Sequence, residues 1–113
     1  MILSDDAKNA MLQGLADKLN VGTNSVLSVY IDTTLAVELA LTNPVELSVT
    51  GGVLTFKTPP EAIAIASGVP TSAKLLDATG AVIANYTAAE IVLNKDKIYQ
   101  GGYVGIVGLK VRI

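Results

Sequence analysis

Val45-Glu46-Leu47-Ser48-Val49-Thr50-Gly51-Gly52-Val53-Leu54-Thr55-Phe56-Lys57 is the stretch whose reading decides the fold class. Val45, Leu47 and Val49 alternate with Glu46 and Ser48, the period of two expected when one strand face meets a core and the other meets water. Gly51-Gly52 supplies the positive-φ backbone of a tight hairpin, and residues 53–57 return from it. An antiparallel pair is therefore predicted here.

Working outward, Asn43-Pro44 must break or bend the chain before this pair, because proline cannot donate to a ladder. Val26–Ile31 reads as a strand from its β-branched and aromatic content, and residues 38–41 follow as the next. Downstream, Pro59-Pro60 stops the pairing. Residues 62–66 form either a short strand or a turn of helix, which periodicity cannot decide. Gly68-Val69-Pro70 marks a loop. Residues 73–76 and 81–86 flank Asp77-Ala78-Thr79-Gly80, a compact turn that predicts a second hairpin. Residues 91–93 form a short strand, and 94–97 a polar turn. Residues 103–113 form a long last strand in which Gly105 and Gly108 suggest bulges or close approach of a neighbouring backbone.

One segment breaks this pattern. Residues 4–20 carry Leu12, Leu15 and Leu19 at helical spacing, joined by Ala7, Met11 and Ala16. Ser4 is an N-cap residue, and Asp5 and Asp6 lie in the first turn, where the helix dipole favours negative charge. Asn20 or Gly22 can end the helix in a left-handed cap. The expected fold is mainly β, with one N-terminal α-helix followed by a small antiparallel β-sandwich or barrel of about seven to nine short strands. Residues 1–113 read as a single domain, with the helix at 4–20 and the β part at 26–113.

The bulk numbers agree. A chain of 113 residues fits one domain, and with 50% hydrophobic and 16% charged residues it has ample material for a core. With one Phe, four Tyr and no Trp, aliphatic side chains must fill the interior. A net charge of −2, with seven Lys and the single Arg112 scattered along the chain, argues against nucleic-acid binding, which needs clustered cations. Met1-Ile2-Leu3-Ser4-Asp5-Asp6 lacks the basic start of a signal peptide. No apolar run approaches the ~20 residues of a membrane span.

The chemistry available is narrow. The chain has no His and no Cys, so the usual general base, the thiolate nucleophile and most zinc sites are missing. Ten carboxylates remain, scattered as expected of solvated loops and strand faces. Asp5-Asp6 and Asp77-Ala78-Thr79-Gly80 fall short of a calcium loop. The glycines at 101, 102, 105 and 108 do not follow the order of a phosphate loop. No enzyme, cofactor or metal is expected. Tyr30, Tyr86, Tyr99 and Tyr103 can serve as interface anchors, or bury their rings and leave the hydroxyls at the rim. The terminal Val107-Gly108-Leu109-Lys110-Val111-Arg112-Ile113 is a strong strand signal that must lie inside a sheet or pair with a neighbour. With a mean hydropathy of +0.51, burial in an oligomer or lattice suits the chain. The outer face of the helix and the terminal strand are the expected interface, through Lys8, Met11, Leu12, Leu15, Tyr103, Leu109, Val111 and Ile113.

The layout also resembles a family, the small virion structural proteins of tailed bacteriophages and prophages. The resemblance rests on the opening helix Leu3-Ser4-Asp5-Asp6-Ala7-Lys8-Asn9-Ala10-Met11-Leu12-Gln13-Gly14-Leu15 and the strand Leu27-Ser28-Val29-Tyr30-Ile31-Asp32. It continues through the hairpin at residues 68–82 and the closing stretch at 98–106. It implies a non-catalytic virion component, assembled in the host bacterial cytoplasm, whose partners are copies of itself or the major capsid protein. Decoration or cementing of the capsid is the first expectation. A tail or neck component is the alternative, and a ligand- or carbohydrate-binding β-sandwich module is the reading from another class. The motif residues are structural, so no functional residue carries over.

Overall fold

The computed structural model describes residues 1–22 and 24–113. Helix α1 runs Asp5–Asn20. It begins as the sequence predicts, with Ser4 Oγ accepting from the Ala7 amide at 3.2 Å and Asp5 and Asp6 in the first turn. At its other end the Val21 amide donates to the Lys18 carbonyl, and Gly22 takes φ 78°. Leu12, Ala16 and Leu19 are the buried stripe, while Met11 points to solvent.

Eleven short strands follow among the described residues: β1 Val26–Ile31, β2 Thr34–Ala40, β3 Glu46–Thr50, β4 Val53–Phe56, β5 Ala62–Ile63, β6 Ser72–Leu76, β7 Val82–Thr87, β8 Val92–Leu93, β9 Tyr103–Val104, β10 Ile106–Gly108 and β11 Lys110–Arg112. All strand pairings are antiparallel. The main sheet has the order β2-β1-β6-β7, a second has β11-β4-β3, and β10-β8 and β5-β9 form two-stranded pairs. One contiguous core joins α1 (Leu12, Ala16, Leu19), the main sheet (Leu27, Val29, Val37, Leu39, Leu75) and β4 (Leu54, Phe56). The fold is thus mainly β behind one helix.

Three sequence expectations need correction. The terminal strand is not continuous: residues 103–112 pair in turn with β5, β8 and β4 as three separate pieces, which raises the strand number above the expected range. Gly105 marks a close approach, because a Cβ there would lie 2.9 Å from Glu61 Cγ. Gly108 closes a bulge, since Ile106 faces Leu93 and Gly108 faces Val92, leaving Val107 unpaired.

The second correction concerns Leu47. Glu46 pairs with Phe56 and Ser48 with Thr55, so Leu47 is the extra residue of a bulge and is 67% exposed. Only Val45, at 2%, and in part Val49 keep the inward alternation. The third is β2, which starts at Thr34, four residues earlier than residue 38. Ile31 pairs with Thr34, so Asp32-Thr33 closes a two-residue hairpin with Asp32 at φ 55°. Aspartate tolerates that left-handed conformation better than most residues. The Asp32 amide donates to Thr71 Oγ1 at 2.7 Å.

Among the described residues, side chains of the helix reach the β structure at three places. Asn9 Oδ1 accepts from the Gly52 amide at 3.0 Å, in the β3–β4 turn. Asn20 Oδ1 accepts from the Val45 amide at 2.7 Å, and its Nδ2 donates to Glu46 Oε2 at 2.8 Å. Lys18 Nζ stands 3.4 Å from Asp77 Oδ2. Asp77 organises the β6–β7 turn, its Oδ1 accepting from Thr79 Oγ1 at 2.6 Å and from the Thr79 and Ala81 amides at 3.0 Å each.

Two expectations follow. Leu54 is fully buried between helix and sheet, so Leu54→Ala costs about 2–5 kcal/mol in urea unfolding. Met11→Ala on the exposed helix face stays within about 0.5 kcal/mol. The Thr79 hydroxyl, followed by the Ala81 and Thr79 amides and Lys18, holds the Asp77 carboxyl below its ordinary 3.8 despite desolvation. A depressed folded-state value stabilises the fold fully above the unfolded value and is lost as pH falls through the folded one. Melting temperature measured against pH should therefore drop below about pH 4, and Asp77→Asn should flatten that acid limb.

Candidate functional site

Residues 62–68 run antiparallel to residues 98–104 as a two-stranded arm along the main sheet. Ala62 pairs with Val104 and Ile63 with Tyr103, and the amide of Ala64 donates to Gly102 and that of Gly101 to Ala64. Gly68 and Ile98 exchange both backbone bonds at 2.9 and 2.8 Å. The Ile65 amide donates to the Ala36 carbonyl at 2.7 Å, which fastens the arm to β2. Gly68 comes so close to Ile31 that a Cβ would meet its side chain at 3.1 Å.

The alternation within this arm runs against size. Ala64 is buried, while Ile63 and Ile65 on either side are 54% and 60% exposed. The small Ala64 is thus the inward residue and the branched side chains face outward. Tyr103, directly opposite Ile63, is 58% exposed. Cross-strand partners share one sheet face, so Ile63 and Tyr103 stand side by side. Tyr99 on the same arm and Val69 just beyond it are also exposed, with Lys97 Nζ 5.4 Å from the Tyr99 ring centre. Large aliphatic and aromatic side chains thus face water side by side on this arm.

The residues expected at an interface fall into separate places. Leu12 and Leu109, at 1% and 3% exposure, lie in the core and cannot reach a partner from the folded chain. Leu15 and Val111 pack against the same core at its margin. Lys8 and Ile113 meet at the β3–β4 turn, where both border Gly52, and Met11 is exposed on the helix. Tyr103 belongs to the arm instead, with Ile63, Ile65 and, just beyond it, Val69, none of which the sequence reading placed at an interface, and with Tyr99, which that reading named among the tyrosines able to anchor one. The Ala62-Ile63-Ala64-Ile65-Ala66 alternation was the available signal, but a period of two does not say which face is inside.

A second feature lies between the edges of two sheets. A groove of about 650 Å³ separates β7 from β11, with Ala84, Tyr86, Val92, Val107, Lys110 and Arg112 among its lining. The Tyr86 hydroxyl donates to the Lys110 carbonyl at 3.1 Å across it. Beside it, Glu90 Oε1 accepts from the Thr87 amide and hydroxyl at 2.9 and 3.1 Å, bonds that hold its carboxyl below the usual range. Among the described residues, no group of three or more carboxylates gathers to hold a metal ion. None of the described helices is long and apolar enough to cross a membrane.

No protein-family model, curated protein or solved structure matches the chain.

Burial, with a smaller contribution from the Glu90 charge, pushes the Tyr86 phenol up to about 12 from its ordinary 10.0. A raised value means that the stabilising neutral form is fully present below the unfolded value and is lost as pH rises through the folded one. An ultraviolet titration should show one phenolate appearing near pH 12, accompanied by loss of stability above pH 10. Tyr86→Phe removes that step.

Proposed function

We propose that this chain is a non-catalytic structural protein of a tailed-phage virion that decorates or cements the capsid through protein–protein contacts. The observation that carries the reading is the exposed Ile63–Tyr103 pair on a hydrogen-bonded arm. Two large side chains held on a rigid backbone lose little entropy when a partner covers them, which makes them suitable anchors. The resemblance of the opening helix and the 68–82 hairpin to small virion proteins points to the same class. A chain that is half hydrophobic and has no His or Cys supplies burial area in place of reactive groups.

The mechanism is area burial repeated over a symmetric shell. Each copy contributes a modest contact to the major capsid protein or to a neighbouring copy. Simultaneous engagement of several contacts raises the apparent affinity by roughly 10²–10⁴ over one alone. The protein is then made in the bacterial cytoplasm, resides in the virion and works without a cofactor.

Quantitative mass spectrometry of particles purified after prophage induction tests this. Copies in the hundreds, near the capsid-protein number, are expected. A few dozen or fewer would move the protein to the neck or tail, and abundant particles lacking it would reject a virion role. Exchanging Ile63 and Tyr103 for Ser should lower occupancy more than tenfold, since anchors of this kind contribute about 2 kcal/mol each. The melting temperature of the variant should stay close to that of the parent.

A further inference from the structure

We propose that the groove between β7 and β11 is a docking slot for an extended peptide strand that carries acidic side chains. Both walls are sheet edges: β7 pairs only with β6, and β11 only with β4. Their outward amides and carbonyls therefore face the gap. The Lys110 carbonyl shows this directly, because it accepts the Tyr86 hydroxyl across the slot at 3.1 Å. The groove between the two edges, about 650 Å³, is lined by residues of both strands. Tyr86 floors the slot, and Val92 and Val107, both exposed, supply its apolar lining.

Charge selects the occupant. Lys110 and Arg112 lie two residues apart on β11, so their side chains leave the same face, about 6.8 Å from each other along the strand. Both residues are exposed, and neither has an ion-pair partner among the described residues. The one acid on the lining, Glu90, is already bonded by Thr87. The slot thus presents outward backbone groups together with two cations at strand spacing that form no ion pair and outnumber the single acid on the lining. A partner strand with carboxylates at alternate positions satisfies both. This chain has no two acids at that spacing, so the occupant is another polypeptide and not a second copy. Backbone pairing supplies affinity and the alternating charges supply register, as in other strand-addition complexes. The slot is separate from the Ile63–Tyr103 arm, and its occupant follows from its own chemistry whatever the arm contacts.

The test is an amide-resolved NMR titration of the whole chain with the capped peptide Thr-Val-Glu-Val-Glu-Val-Thr. Shifts should concentrate in residues 82–87 and 109–113. The matched peptide with Lys in place of Glu should bind at least tenfold more weakly, as should the double variant Lys110→Glu, Arg112→Glu. Methylating alternate peptide amides should also abolish binding, which bare charge attraction would not require. The spectra themselves report whether the variant remains folded. No saturable shifts at the two edges, shifts centred on the arm, equal binding of the acidic and basic peptides, or undiminished binding of the methylated peptide would each overturn the proposal.

Discussion

The three fastenings of helix α1 are the constraint on which the rest of the structure depends. Asn9 and Asn20 are eleven positions apart, close to three turns, so both side chains leave the same face at a separation of about 16 Å. One takes an amide of the β3–β4 turn and the other takes the amide of Val45, just before β3 begins. Lys18 reaches instead to the turn between β6 and β7. A helix held this way cannot slide or roll over its sheet, and Leu12, Ala16 and Leu19 are fixed over Leu54 and Phe56. The polar bonds supply register, while burial of the leucines supplies most of the free energy.

That arrangement accounts for how the sheet edges are distributed. Short strands in four small sheets leave many edges, and exposed edges invite pairing with other chains. At β2 the arm covers the edge, with Ile65 bonded to Ala36. At β3 the bulge at Leu47 breaks the regular row of backbone groups. β7 and β11 have neither protection and face one another. The unprotected edges thus coincide with the apolar groove and its two cations, while the arm that guards β2 carries the exposed isoleucines. Shielding one edge and leaving large apolar side chains in water both accompany the same small-inside alternation.

Much of this architecture was legible from residue types with strong local meaning. Ser4, Asp5 and Asp6 started the helix, Gly51-Gly52 turned β3 into β4, and Asp77-Ala78-Thr79-Gly80 turned β6 into β7. The reading failed where pattern alone does not determine direction. Leu47 fits the inward alternation, but a bulge reverses it, and nothing in Glu46-Leu47-Ser48 announces the extra residue. Asp32-Thr33 closes a hairpin without glycine because Asp32 accepts a positive φ and Thr71 holds its amide. Thr87-Ala88-Ala89-Glu90 does carry a capping signature, the threonine-to-glutamate spacing that the short 3₁₀ turn Ala88–Glu90 realises. The candidate site was least legible, since the period of two in residues 62–66 does not say that Ile63 and Ile65 are the residues facing water.

Residues 103–112 show why composition understates what one segment can do. Read as one strand, residues 103–112 would bury a single edge. Gly105 permits the chain to press against Glu61, and Asn94 grips the same point, with its Oδ1 accepting the Gly105 amide at 3.1 Å and its own amide donating to the Gly105 carbonyl at 2.9 Å. The bulge at Val107 then turns the chain again, and Leu109 enters the core while its carbonyl accepts from Phe56. Each redirection passes the segment to a different partner, first the arm, then β8, then β4. A straight strand would have run on alongside one neighbour. The broken one stitches three sheets together and delivers β11 with one edge paired and the other open toward β7, so the same glycine and bulge that close the fold also shape the slot.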